Sequence, residues 1–212
     1  MTLAELSVTM MILGIVVAII LSILFSVQKT FGRETDRSTN NDQARLGVEE
    51  LDREIRSGNL LYDPQSANLQ QNPTGDPSGM QLVIYTQTNA TTRNPGNRCV
   101  QWRITSGTGA NPDELLRRDW SSTDPAGTVT AWRIIADDVV NNDPAKSGKP
   151  GPVPAFTLDH SQSSFGDRII TIDLLVNHNP QAGSTVEIQD SVTGRNTEFG
   201  YPNTVCNTVP PG

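Results

Sequence analysis

The chain has 212 residues and a formal charge of −7, from 23 acidic and 16 basic side chains. That balance excludes a general nucleic-acid-binding surface, which needs clustered Lys and Arg to neutralise phosphates; any such patch would have to be local. Two cysteines, Cys99 and Cys206, are too few for a disulfide scaffold or a four-ligand zinc site, but they suffice for one staple.

Residues 1–27, MTLAELSVTMMILGIVVAIILSILFSV, hold a single ionisable side chain, Glu5. As a helix, residues 6–27 would run about 33 Å, enough to cross a bilayer core of about 30 Å. An amphipathic helix of a soluble domain would show polar residues at a period near 3.6, whereas Thr9, Ser22 and Ser26 define no solvated face. A cleavable secretory signal would open on basic residues, carry a shorter apolar core and end at a small-x-small site, and this stretch does none of these. A single-span anchor is the plainer alternative. Lys29 and Arg33 would then hold the C-terminal side in the cytoplasm, although Glu34 and Asp36 follow closely. Neither alternative accounts for Glu5. A carboxylate costs about 2.5–3.5 kcal/mol at mid-membrane on insertion scales and marks function there. Its local reading is a capping box, because Thr2-Leu3-Ala4-Glu5 fits S/T-x-x-E.

The run Thr2-Leu3-x-Glu5-Leu6, followed by an unbroken apolar helix with a glycine at Gly14, resembles the mature N-terminus of type IV pilins and type II secretion pseudopilins. The resemblance implies a basic leader removed by a prepilin peptidase. Met1 is then the first mature residue and carries an N-methylated amine, at a position where the family more often has Phe. It also implies that Glu5 pairs with the amine of a neighbouring subunit inside a water-free helix bundle, so that a charge costly in lipid is compensated on assembly. Gly14 and Ala18 form a small-xxx-small pair that would admit a close helix, although small residues are common in membrane helices and chance supplies such a pair as readily.

Residues 28–58 read as an amphipathic continuation of the same helix. Ala44, Val48, Leu51 and Ile55 recur at one-face spacing, while Glu49, Asp52, Arg53 and Arg56 take the other side. Glu49 with Arg53, and Asp52 with Arg56, are acid-to-base pairs one turn apart. Gly58-Asn59 is the expected stop. The polar interval 35–43 and the glycines Gly32 and Gly47 are points where the helix could bend or melt; the alternative is a continuous solvated helix.

Beyond Gly58 the pattern is that of strands and loops. Residues 60–63 are a short element and 64–78 a proline-rich loop. Residues 80–86, 99–104 and 114–120 read as three strands of an antiparallel meander. Residues 129–135 continue it, 137–140 fit a strand end or a helical turn, and 146–154, KSGKPGPVP, are a rigid loop. Residues 156–159, 168–176 and 184–190 form a second strand group, with Ile170, Ile172 and Leu174 on one face and Ile169, Thr171 and Asp173 on the other. The order LDREIR, then ELLRRDW with its Arg117-Arg118 pair, then a late strand leading to Arg195-Asn196, resembles the larger minor pilins. The long Pro/Gly loops and the tail 202–212 depart from that pattern.

The expected fold class is α+β, a long N-terminal helix packed on an antiparallel sheet in the pilin manner. Residues 1–27 are its membrane or filament-core part, 28–58 its amphipathic continuation and 59–212 an extracellular β-rich globular domain. The resemblance implies a structural subunit, more like a minor pilin. It would be made as a single-pass precursor in the inner membrane and moved by pilus assembly machinery into a filament on the bacterial surface, with other pilin subunits as its partners. One alternative is a pseudopilin of a secretion or DNA-uptake machine; another is a membrane-anchored adhesive or ligand-binding domain that never polymerises.

No enzyme chemistry and no cofactor are expected. Asp159-His160-Ser161 has the residue types of a triad, but sequence neighbours in a loop do not form one, and His178 reads as a solvated histidine. Asp137, Asp138 and Asp143, with Asn141 and Asn142, supply oxygen ligands for calcium without the spacing of an EF-hand loop. Asn89-Ala90-Thr91 is an N-x-T sequon. Outside the cytoplasm Cys99 and Cys206 are expected to pair, closing a loop worth about 4–5 kcal/mol in the chain-entropy account.

Overall fold

The computed structural model describes residues 3–65, 78–87, 97–105, 113–161, 168–178, 185–194, 205–206 and 209–210. Helix α1 (Leu3–Ser57) is unbroken through Gly32, the polar interval and Gly47. Its length is about 82 Å at 1.5 Å per residue. The buried positions are Asn40, Ala44, Gly47, Leu51 and Ile55, one stripe at helical spacing. Val48, expected on that stripe with Ala44, Leu51 and Ile55, lies at its edge and is only partly buried. Gly47 takes the centre, where even a methyl group would be tight: a Cβ there would stand 3.0 Å from Leu115 Cδ2 and 3.3 Å from Leu174 Cδ1. The glycine brings helix and sheet together; it does not break the helix. The predicted stop holds at Gly58, where a Cβ would meet Ile84 Cγ2 at 2.6 Å as the chain turns straight into a strand.

The strands β1 (Gly58–Leu61), β2 (Gln81–Gln87), β3 (Asn97–Ile104), β4 (Asp113–Ser121) and β5 (Arg133–Val139) form an antiparallel meander. A second group consists of β6 (Phe156–Leu158), β7 (Ile169–Val176) and β8 (Val186–Thr193), with β7 paired to both neighbours. The two groups meet at one main-chain pair, Val139↔Val176. Beside that junction the buried Asn141 side chain bridges to β7: its Oδ1 accepts from Leu175 N at 2.9 Å, and its Nδ2 donates to Asp173 O and Val153 O at 2.7 and 3.1 Å.

Two expected boundaries move. Residues 129–132 are not strand, because Asp124 caps a turn of helix, α2 (Pro125–Thr128), before β5 begins at Arg133. The loop expected at 146–154 opens two residues late, since Pro144 and the Asp143 cap start α3 (Pro144–Ser147) and Gly148 ends it at φ 71°. A bulge where Leu115 faces Ala136 and Leu116 faces Ile134 keeps Ala136 on the inner face.

Alternation sorts the strands into two faces. Leu82, Ile84, Val100, Trp102, Ile104, Leu115, Ile170, Ile172 and Leu174 form one core beneath Leu51 and Ile55 of α1. On the opposite face of the meander, Leu60, Val83, Tyr85, Cys99 and Trp120 form a second cluster closed by Cys206 from the tail.

Candidate functional site

Two regions of α1 behave differently, and the boundary lies near Asp36. From Leu6 to Phe31 the large apolar side chains are all exposed, from 42% at Val27 to 71% at Met11. Among the described residues this is the one helix long and apolar enough to cross a membrane. A continuous apolar surface of this extent marks contact with lipid or protein rather than water. Glu5 lies in its first turn on an exposed position. Gly14 stands one turn before Ala18 on the same side, and a Cβ at Gly14 or Gly32 would touch nothing. Met1 and Thr2 lie outside the described residues, and with them the capping-box partner of Glu5 and the amine implied for Met1. The sequon at Asn89 and the Arg195-Asn196 pair also lie outside them.

The root of this arm is held by polar bonds as well as by its apolar stripe. The Glu54 carboxylate accepts from Trp102 Nε1 at 3.1 Å and from Arg117 Nε and Nη2 at 2.8 and 2.5 Å. Arg117 also reaches Asp119 Oδ1 at 3.1 Å, Asp119 pairs with Arg98, and Glu50 pairs with Arg133. Helix, β3, β4 and β5 are thereby joined in one charge network. Toward the arm, Asn40 Oδ1 accepts from His178 N at 2.8 Å, and Gln43 Oε1 accepts from Asp137 N at 3.4 Å.

The tail is tied to the other face. Cys99 and Cys206 form a disulfide with sulfurs 2.02 Å apart, across a sequence separation of 107. Cys206 N donates to Tyr62 Oη at 2.9 Å. Arg118, the neighbour of Arg117 on the opposite face, donates from Nε to Gln101 Oε1 at 2.8 Å and from Nη2 to Pro210 O at 2.7 Å. Its guanidinium lies 4.3 Å from the Trp132 ring centre.

The calcium candidates are not brought together. Asp143 caps α3 and pairs with Lys146 Nζ at 3.2 Å, and Asp138 Oδ2 lies 2.6 Å from His178 Nδ1. Asp137 is exposed, and among the described residues no three His, Cys, Asp or Glu side chains could hold a metal. Asp159, His160 and Ser161 form no triad: Asp159 Oδ1 accepts from Ser161 N at 2.8 Å, while His160 Nε2 faces Asp63 at 3.5 Å. His178 is not a merely solvated histidine, because its bond to Asp138 raises its pKa.

Glu54 and Trp102 are not singled out by the sequence, Arg117 stands out only as half of the Arg117-Arg118 pair, and nothing in the linear pattern ties a helix glutamate to a strand arginine. Asn40 could have been found, since it sits one turn before Ala44 on the apolar stripe. No protein-family model matches the chain, and no curated protein sequence matches it.

Proposed function

We propose that this chain is a structural subunit of a type IV pilus-like filament, polymerising through the N-terminal half of α1. One observation carries the reading: an apolar arm that stands clear of the domain while its root is welded to the sheet. Exposed apolar surface must be covered, first by lipid and then by the arms of other copies. The rigid root keeps the arm from folding back to cover itself. Glu5 distinguishes a filament subunit from a simple anchor, because a carboxylate near the end of an apolar helix is compensated when a neighbouring copy supplies a positive charge. In this reading the amine of Met1 is that charge, Gly14 and Ala18 admit the neighbouring helix, and the globular part is carried outside the cell. The minor-subunit assignment rests on the LDREIR and ELLRRDW patterns.

The test is Glu5→Ala in the native host. The variant should stay inserted in the membrane and drop out of the filament fraction released by shear. Normal incorporation, read by immunoblot, would reject the pairing role. Mass analysis of the native N-terminal peptide should show leader removal and one added methyl group at Met1.

A further inference from the structure

The arm leaves the domain beside the junction of the two strand groups, and a histidine sits at that point. His178 follows β7, and its Nδ1 lies 2.6 Å from Asp138 Oδ2 on β5. The main chain doubles this contact, with Asn177 N donating to Asp138 O at 2.9 Å. His178 N in turn donates to Asn40 Oδ1 of α1. Asp138 has φ 60°, the only positive φ of a non-glycine among the described residues. That left-handed conformation is strained for any side chain, though aspartate tolerates it better than most. We propose that the Asp138–His178 pair is a proton-operated clasp that fixes the root of the N-terminal arm to the globular domain.

The chemistry of the gap supports this. A separation of 2.6 Å between a ring nitrogen and a carboxylate oxygen requires a proton on the nitrogen. Protonated imidazole always supplies it. Of the two neutral tautomers only one does, and the other sets two lone pairs against each other. Among the described residues, the charged groups that act on His178 are acidic: Asp138 from β5, with Asp36 from α1, one turn before Asn40, acting at longer range. Lys146 of α3 turns its ammonium to Asp143 at 3.2 Å and does not neutralise them. The hydrogen bond and the charge of Asp138 accordingly raise the His178 pKa. A raised histidine pKa contributes stability that is fully present below the unfolded value, about 6.5, and is lost as pH rises through the folded value. The clasp therefore tightens in mildly acidic surroundings and loosens in alkaline ones. It is independent of the filament reading and would act equally in a lone membrane anchor.

Hydrogen exchange of the full chain in detergent micelles tests it, with rates corrected for intrinsic pH dependence. Backbone amides of residues 40–44 should lose protection about two- to fivefold between pH 5.5 and 8.5, the scale of a partly exposed ion pair. His178→Gln and Asp138→Asn should flatten that dependence. The clasp is overturned if wild-type protection is the same at both pH values, or if its pH dependence persists in His178→Gln. A nuclear magnetic resonance titration placing the wild-type His178 pKa at or below about 6.5 would also overturn it, without need of any variant.

Discussion

Glu54→Ala tests the weld between α1 and the meander. In the native protein the Glu54 side chain is 13% exposed and receives one bond from Trp102 and two from Arg117. Deleting it leaves the indole N–H of a fully buried tryptophan without its acceptor, a penalty of about 1–3 kcal/mol. It also takes from Arg117 its shortest carboxylate contact. Breaking a buried pair by removing one partner costs about 3–5 kcal/mol, but Arg117 is 21% exposed and keeps Asp119, so that range is an upper bound. The expected loss is about 2–4 kcal/mol. A melting midpoint should fall by about 5–12 °C for a chain of this size. Unfolding of the full chain in detergent, followed by tryptophan fluorescence, reads it directly. A double-mutant cycle with Arg117→Met should show coupling above about 1 kcal/mol. A loss under about 0.5 kcal/mol, or strict additivity with Arg117→Met, would refute the claim that this network holds the arm in place.

Cys206→Ser should cost about 4–5 kcal/mol in the chain-entropy account and make the tail accessible to limited proteolysis; an unchanged digestion pattern would show that the bonds to Arg118 and Tyr62 suffice to hold it. Gly32→Ala and Gly47→Leu should act in opposite directions: the first raises helicity by removing a penalty of about 1 kcal/mol, while the second drives a side chain into Leu115 and Leu174 and lowers the unfolding midpoint. Burial holds the Asp173 carboxyl above its ordinary range, against the opposing bond from Gln189, and its Oδ1 has no partner among the described residues. The folded state thus binds this proton more tightly than the unfolded state, and the associated stability is lost as pH rises through the folded pKa. Asp173→Asn should therefore stabilise at pH 7 and lose that advantage below about pH 4, as thermal melts at the two pH values would report.

Much of the architecture was legible because it follows from periodicity. The apolar run could only be an unsolvated helix, Leu51 and Ile55 fell on one stripe, and Ile170, Ile172 and Leu174 alternated inward as expected. What escaped was polar or small. Asn40 and Asn141 carry the letters of surface residues, yet both are buried because each side chain satisfies backbone groups that strand pairing leaves open. Gly47 looked like a weakness, and only the proximity of Leu115 and Leu174 shows that a larger residue would press on the sheet. Asp137, Asp138 and Asp143 looked like one ligand cluster, but one is solvated, one meets a histidine and one caps a helix. Arg117 and Arg118 look alike in sequence; strand alternation sends them to opposite faces and gives them different tasks.

The single pair Val139↔Val176 has a consequence for how the domain unfolds. The two hydrogen-bonded ladders are joined over a short stretch only: that pair, the flanking bonds from Val140 N to Leu175 O and from Asn177 N to Asp138 O, and the Asn141 side chain. They share α1, which packs against both groups through Leu51 and Ile55 and bonds to both through Glu54 and Asn40. Cooperativity therefore rests on the helix and the core it shares with both groups more than on strand pairing between them. With α1 seated, the two groups share one helix and one core; with its root displaced, the short β5–β7 junction and the core side chains the groups share are left to hold them together.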